Sequence, residues 1–389
     1  MVVEDDFFFI ILFNNNNNTS FKRLLSIEQR RRRDRRIPRI ALVDPSESAW
    51  VKLYCSGSDS AMITLTGLDY PSFNFLSVKF EELYSEYTPY SSSGRIILKR
   101  VRGRFRRPRS LDSRGCLALV LSYNRTRGST YALSLLFGVT GTVLALFLKF
   151  GRRLLLKVLK SEPGAKVQMP SLDEIEQFKS IVIDRYPSLE DAWCVMDGVK
   201  LLLETSGSNR IQECFYNGWT HDHYVSNVFV FSPAGVIATC SINNPGCMHD
   251  SQIAEQGGVY AKLEMAYNAS GGKAVVDSAF ARGRYEFLIK SCQTLPSNAP
   301  RQTVLVNSDA SSLRQSSEWG MRGLQASFPR IKDRFIYEEN GERLLILLTV
   351  VHLFNFRTRY VGLNQIRSVF LPQLELHDGN TVLEWANLV

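Results

Sequence analysis

The chain has 389 residues and a net charge of +9 at pH 7, so it is long enough for one to three domains with a sizeable core. Its composition lacks the bias of collagens and coiled coils. Its seven cysteines include no Cys-x-x-Cys pair, and this spacing argues against the zinc-finger and disulfide-scaffold classes and favours a reducing compartment. Residues 1–160 hold 27 Lys and Arg against 13 Asp and Glu, while the remaining residues hold 20 Lys and Arg against 25 Asp and Glu. This asymmetry favours a polyanion-binding region joined to a metal-binding one. A basic tail on an ordinary domain is the alternative.

Residues 1–45 are predicted to form a disordered basic arm. An asparagine tract, Asn14–Asn18, precedes a run rich in arginine, and Pro38 prevents a continuous helix. Runs of this kind are typical of nuclear-localisation signals and of nucleic-acid contacts. Arg30 and Arg31 are therefore candidate DNA-binding residues, and a location in the nucleus is expected. A merely solvated tail is the alternative.

Residues 60–162 are predicted to form a helical, helix-turn-helix-like, DNA-binding region. Asp69 or Ser72 would cap its first helix, which is predicted from apolar residues at helical spacing: Phe73, Phe75, Leu76, Phe80, Leu83, Tyr84 and Tyr87. A basic stretch at 95–114 is predicted to be a loop. It supplies three further candidate DNA contacts: Arg104, Arg106 and Arg107.

Three more helices are predicted at about 115–124, 131–137 and from about 140. The last two have a helix-turn-helix rhythm, with Gly138 at the turn and Thr140 as the N-cap. The second of them is a candidate groove reader, and a purely structural bundle is the alternative. This stretch also approaches the length of a membrane span, but glycines and polar residues interrupt it and basic residues flank both ends, so no membrane is expected.

Residues 170–370 are predicted to form an RNase H-like domain with its central part at about 190–335, followed by a C-terminal tail at 371–389. After a helix capped by Ser171, the β-like runs are 191–204, 224–233, 235–244 and 273–277, with a helix from Asp250 to about Tyr267 before the last. The sequence SPAG between the second and third runs indicates a hairpin. This order predicts an α/β (α+β) fold, with a mixed sheet preceded by an all-helical region.

Four acidic residues in this region are candidates for a metal site: Asp197, Asp250, Asp277 and Glu318. In an RNase H-like sheet the first and fourth strands are neighbours, so Asp197 and Asp277 can face each other, and a later helix supplies Glu318. Two carboxylates about 4 Å apart repel by roughly 4 kcal/mol at an effective dielectric near 20. A cluster therefore implies shifted pKa values or a bound divalent metal. Asp250 has no comparable fold-based reason to converge.

Oxygen ligands without nearby cysteine or histidine favour Mg²⁺ or Mn²⁺. Two such ions would activate a water and stabilise the leaving oxygen of a phosphodiester. The catalytic residues would be Asp197, Asp277 and Glu318. Three basic residues near Glu318 are candidates for contacts with DNA phosphates, with a solvated helix face as the alternative: Arg322, Arg330 and Lys332.

Several motifs occur together in order: MDGVK, NNPGCMHDS, VVDSAF and SEWGMRGLQASFPRIK. Over about 60–370 the sequence resembles the PIF/Harbinger transposases and the nucleases domesticated from them, within the DDE endonuclease superfamily. The resemblance implies that Asp197, Asp250, Asp277 and Glu318 bind divalent metals. Two motifs depart from the family, which reads Asp-Gly-Thr-His where this chain has Val and Lys200 after Asp-Gly, and Asp-x-Gly-Tyr where it has DSAF.

The resemblance implies a metal-dependent DNA endonuclease or transposase that nicks DNA at transposon ends and joins the freed 3′-hydroxyl to target DNA. It also implies a separate Myb-like partner that helps to recognise the ends and aids nuclear import, and it leaves homo-oligomerisation open. The alternative from another class is a catalytically inactive, domesticated DNA-binding or scaffold protein. A membrane-anchored protein is a more distant alternative.

Overall fold

The computed structural model describes residues 37–90, 99–100, 108–280, 285–292, 295–336 and 340–377. Most of the predicted basic arm and the last residues of the predicted tail lie outside this part of the chain. Five candidate DNA-binding residues also lie outside the described residues: Arg30, Arg31, Arg104, Arg106 and Arg107.

The first half of the described chain is helical, as predicted. Its helices are α1 (Ala49–Cys55), α2 (Asp59–Thr66), α3 (Tyr70–Glu86), α4 (Ser113–Arg125), α5 (Tyr131–Phe137) and α6 (Gly141–Ser161), and a small ribbon pairs β1 (Tyr87–Thr88) with β2 (Lys99–Arg100). The Asp69 carboxylate accepts a hydrogen bond from the Ser72 backbone N–H at 2.9 Å, which satisfies one of the free donors at the start of α3. Asp69 is thus the predicted cap.

Helices α5 and α6 meet at an angle of 88°. Gly138 adopts the left-handed conformation at the turn, with φ 66°, and it is tightly enclosed because a Cβ there would lie 2.6 Å from the Val43 carbonyl oxygen. Thr140 occupies the N-cap position of α6 without a side-chain capping bond. Helix α6 is buried along most of its length, which suits the structural alternative. Groove reading by α6 stays a prediction.

The second half is built around a mixed sheet. Its strands are β3 (Ala192–Leu202), β4 (Tyr216–Asn217), β5 (Asp222–Phe231), β6 (Ile237–Pro245), β7 (Lys273–Val276) and β8 (Leu288–Lys290). The main order is β6-β5-β3-β7-β8, in which β6, β5 and β3 are antiparallel and β7 and β8 run parallel to β3, while β4 pairs with the start of β5. The mixed sheet and the α/β class are confirmed, and the RNase H-like assignment stays a prediction.

Helices surround this sheet: α7 (Leu172–Arg185), α8 (Asn209–Phe215), α9 (Asp250–Gln256), α10 (Val259–Ser270), α11 (Arg301–Ser327), α12 (Asn340–Tyr360) and α13 (Gln365–His377). The predicted cap of α7 is present, because Ser171 and Glu174 form a capping box. The prediction of one helix from Asp250 to about Tyr267 is wrong. The chain breaks at Gly257 and Gly258, where Gly258 adopts φ 70° and a Cβ on Gly257 would lie 2.1 Å from the Ser241 hydroxyl.

Helix α12 lies between the helical region and the sheet, in contact with α6 and β6. The Asn355 side chain accepts from the Ile237 backbone N–H at 2.7 Å and donates to the Ile237 and Lys166 carbonyl oxygens, each at 2.9 Å. Arg357 donates to the Gly67 carbonyl oxygen at 2.9 Å. A single helix therefore holds strand β6 on one side and helix α2 on the other.

Two stretches are apolar enough to be tested as membrane spans. Residues 340–370 pass by length and composition, and α5 and α6 pass only as one bent pair. In the first stretch 61% of the apolar window is buried inside the protein. That burial is typical of a core helix, whose apolar side chains are covered by other parts of the same chain.

Candidate active site

Strands β3 and β7 bring two of the candidate carboxylates together. In the parallel pairing Met196 lies opposite Val276, and Asp197 and Asp277 are the next residues on each strand. Adjacent strands lie about 4.8 Å apart. The two acids therefore occupy neighbouring positions at the end of the shared ladder.

Asp197 is fixed by two hydrogen bonds. One carboxylate oxygen accepts from the Gly198 backbone N–H at 2.8 Å, and the other accepts from the Ser317 hydroxyl of α11 at 3.0 Å. Burial raises the pKa of Asp197 above its ordinary value, and the charge of Asp277 adds to this, while the two hydrogen bonds and the charge of Arg314 oppose it. The protein thus holds a carboxylate where a negative charge is disfavoured.

Asp277 is held by the turn that follows β7. One of its carboxylate oxygens accepts from the Ala279 backbone N–H at 2.9 Å and from the Ser278 hydroxyl at 3.0 Å. Phe280 is buried, and its carbonyl oxygen accepts a hydrogen bond from the Tyr260 hydroxyl at 2.5 Å. The contacts of Ala279 and Phe280 are made by backbone atoms, so they do not depend on the side chains by which this motif departs from the Asp-x-Gly-Tyr pattern.

Asp250, the first residue of α9, lies against β3 at Gly198. A Cβ built on Gly198 would lie 2.5 Å from a carboxylate oxygen of Asp250, so only glycine leaves room for this approach. Burial raises the pKa of Asp250; the charge of Lys200 opposes this, and the charges of Asp197 and Asp277 add to it. Successive positions of a strand face opposite ways, so Asp250 approaches β3 from the face opposite to that of the Asp197 side chain.

Glu318 is placed differently. Its side chain is 49% exposed and lies 3.8 Å from the Arg314 guanidinium, one helical turn earlier. The residue of α11 that contacts Asp197 is the neighbouring Ser317. Within the described ranges, no three His, Cys, Asp or Glu side chains are grouped closely enough to hold a metal ion. Metal binding by the four acids stays a prediction.

The chemistry of the donors on this part of the sheet nevertheless suits a divalent cation. Asp197, Asp250 and Asp277 offer hard carboxylate oxygens, which suit Mg²⁺ or Mn²⁺. Burial and mutual repulsion raise the pKa of two of them, and a bound cation relieves both effects. Asp197 and Asp277 would hold the ion side by side, with Asp250 across β3 from them and Glu318 one residue away from the Ser317 contact.

Sequence reasoning did not assign roles to Ser317 and Lys200. Ser317 gave no signal beyond its place beside Glu318. Lys200 was visible as the residue that replaces the family histidine, and its charge acts on Asp250. A basic residue three positions after a strand carboxylate was the available clue.

The basic residues near α11 separate into two groups. Arg322 and Lys332 are exposed. Arg330 is held within the protein, since it donates to the Gly128 carbonyl oxygen at 2.6 Å, lies 3.3 Å from Asp333 and covers the ring of Tyr123. DNA contact by all three stays a prediction, and the first two have side chains free to reach a phosphate from the surface.

Residues 196–355 match the family model of the DDE superfamily endonucleases. The matched segment holds all four candidate acids and covers less than half of the chain. No curated protein and no solved structure matches. The segment around Asp197, Asp250 and Asp277 therefore resembles a nuclease. DDE endonucleases generally use divalent metals.

Proposed function

We propose that this protein is a divalent-metal-dependent DNA endonuclease of the Harbinger type, built on an RNase H-like domain. The observation that carries the proposal is the side-by-side placement of Asp197 and Asp277 at the ends of β3 and β7, with Asp250 across β3 at Gly198, within the segment that matches the DDE superfamily endonucleases. Carboxylates placed side by side repel each other, and a bound cation would offset that repulsion.

The residues divide the work as follows. Asp197, Asp250 and Asp277 would hold Mg²⁺ or Mn²⁺, and the chemistry supplied by two such ions is activation of water and stabilisation of the leaving oxygen. Ser317 keeps Asp197 in one orientation, and the Ala279 N–H does the same for Asp277. Preorganised ligands lower the cost of reaching the reactive geometry.

In this proposal Glu318 completes the site by a side-chain rotation that breaks its contact with Arg314. Arg322 and Lys332 would bind phosphates of the DNA backbone. The freed 3′-hydroxyl of a nicked transposon end would then attack target DNA. The resemblance further supports a nuclear location and a Myb-like partner, and co-purification with candidate Myb-like proteins tests the latter.

Nicking of supercoiled plasmid in Mg²⁺ or Mn²⁺ tests the nuclease activity. Asp277→Asn keeps the side-chain shape and removes the charge, so nicking should fall at least 100-fold, on the order of the effect of losing a group that stabilises the transition state. Asp173→Asn is the matched control, because this exposed acid lies on α7 away from the site, and it should nick like wild type. Equal nicking by the Asp277 variant and wild type refutes the proposal.

The second candidate function is DNA binding without cleavage. It is favoured by one observation, that Glu318 is exposed and faces Arg314 while Asp277 and Asp197 lie together elsewhere. DNA binding by the wild type together with no metal-dependent nicking supports this candidate.

A further inference from the structure

Trp219 is the feature that the proposed nuclease mechanism leaves unused. It lies in the turn between β4 and β5, and its surface is 90% exposed. Tryptophan usually buries most of its large apolar surface. Because tryptophan is enriched at binding interfaces, an indole presented to solvent to this degree is a candidate contact for a partner.

The turn that carries Trp219 is fixed by Asn217. The Asn217 side-chain oxygen accepts hydrogen bonds from the backbone N–H groups of Trp219 and Thr220, both at 3.2 Å, and from the Thr220 hydroxyl at 3.1 Å. The Tyr216 hydroxyl lies 3.2 Å from His221 Nδ1 across the turn. The backbone of the turn is therefore preorganised, and it presents the indole to solvent.

The same asparagine ties the turn to the candidate active site. Its side-chain N–H donates to the Gly246 carbonyl oxygen at 3.0 Å, four residues before Asp250. Gly246 lies tightly enclosed, since a Cβ there would be 2.4 Å from the Tyr224 carbonyl oxygen. The segment that delivers Asp250 thus also positions the turn of Trp219.

Strand register gives the separation of the indole from the acids. Asp197 lies opposite Phe229, and β5 begins seven residues earlier at Asp222. At roughly 3.3 Å per residue this is about 23 Å along the strand. A duplex that follows the strand direction covers the same distance in about seven base pairs of roughly 3.4 Å.

The charges around the turn favour stacking over phosphate attraction. Asp222 is paired with Arg334, with atoms 2.7 Å apart. Helix α8 beside the turn carries one exposed arginine and one exposed glutamate, Arg210 and Glu213. The surroundings are therefore close to neutral, and an aromatic face offers contact to any base because every base has a π-face.

We propose that Trp219 is a stacking platform for an unpaired base of the DNA substrate, about seven nucleotides from the bond that is cut. This proposal rests on the proposed nuclease function. An indole that stacks on one extruded base would favour DNA with a bulge or mismatch over a perfect duplex, because an unpaired base is cheaper to take out of the stack. Binding of this kind adds affinity without releasing counterions.

The experiment measures binding of the full chain in EDTA, by fluorescence anisotropy, to a 30-base-pair duplex with or without one unpaired base. Wild type should prefer the unpaired base, and Trp219→Ala should lower affinity for that DNA about tenfold. Its salt dependence should remain parallel to that of wild type, because no phosphate contact is lost. Trp219→Phe should keep most of the preference.

Met265→Ala is the matched control, since it removes a large apolar side chain of α10 that is also exposed and lies outside the predicted DNA-binding region, and it should bind like wild type. Binding of Trp219→Ala within twofold of wild type overturns the proposal, as does a change in salt slope. A shift in oligomeric state with unchanged DNA binding also overturns it and makes the indole a protein contact. Nicking that depends on Asp277 would then leave the nuclease proposal standing, whereas a wild type that neither binds nor nicks DNA defeats both.

Discussion

Asn355 provides a stringent test of how α12 holds the sheet. Its side chain is fully buried and serves both backbone groups of Ile237, the first residue of strand β6, as well as the Lys166 carbonyl oxygen. Asn355→Leu keeps the number and branching of the side-chain heavy atoms and removes all three hydrogen bonds. Its methyl groups are bulkier than the amide, so a packing cost adds to the loss of the polar contacts.

The size of the expected loss of stability depends on which hydrogen-bond partners of Asn355 water can reach. The Ile237 N–H and carbonyl oxygen are buried, and a buried group left unpaired costs about 1–3 kcal/mol, so the pair costs about 2–6 kcal/mol. Lys166 is partly exposed, so water can replace its bond at little cost. We expect a loss of about 4 kcal/mol, which is a large part of the ~5–15 kcal/mol that stabilises a typical protein.

Urea unfolding followed by circular dichroism measures this loss as a shift of the midpoint at unchanged slope. Thr349→Val is the matched control, because this buried α12 residue bonds only within its own helix, to the Leu345 carbonyl oxygen at 2.7 Å, and its loss should cost about 1 kcal/mol. If Asn355→Leu unfolds within about 1 kcal/mol of wild type, the argument from unsatisfied backbone groups is refuted.

Two further predictions concern the site and its support. Gly198→Ala places a methyl group 2.5 Å from a carboxylate oxygen of Asp250, so plasmid nicking should fall at least tenfold. The control is Gly141→Ala, whose methyl group meets nothing within 4 Å and which should nick normally. Equal nicking by both variants contradicts the placement of Asp250. Burial alone would raise the pKa of Glu162, but hydrogen bonds, led by the one from Lys79, lower this pKa overall. The ionised side chain therefore stabilises the fold above the unfolded pKa of about 4.3, and this stabilisation is lost as the pH falls through the lower folded pKa. Glu162→Gln should therefore flatten the fall of the melting temperature below about pH 5, and a wild-type slope in the variant would show that Glu162 contributes nothing to it.

Local sequence signals predicted most of the helices and the central strands. The caps at Asp69 and Ser171 were readable because short polar side chains before apolar helical runs have a direct physical role there. The hairpin between β5 and β6 was readable from its turn residues, and Gly235 adopts φ 78° in it. The break between α9 and α10 was missed because glycine within a helical pattern shows its purpose only when the neighbouring strand is known.

The site was only partly readable for a similar reason. Asp197 and Asp277 follow from strand order, since neighbouring parallel strands bring equivalent positions together. The approach of the Asp250 side chain to β3 depends on the absence of a side chain at Gly198. This packing depends on the tertiary structure and cannot be read from local sequence. The hydrogen bonds of Asn355 could not be located from local sequence either, because its partner, strand β6, lies more than 100 residues away in the sequence.

The position of α12 limits how the segment that matches the endonuclease family could be transferred by recombination. The segment that matches the endonuclease family begins at residue 196, after the first four residues of β3, and ends at Asn355, inside α12. Recombination that transferred this segment alone would cut one strand and one helix and would leave the face of α12 that meets α6 without its partner. Loss of the N-terminal helices would therefore expose the apolar side chains of α12 that meet α6 and destabilise the matched segment without altering any of the four candidate acids.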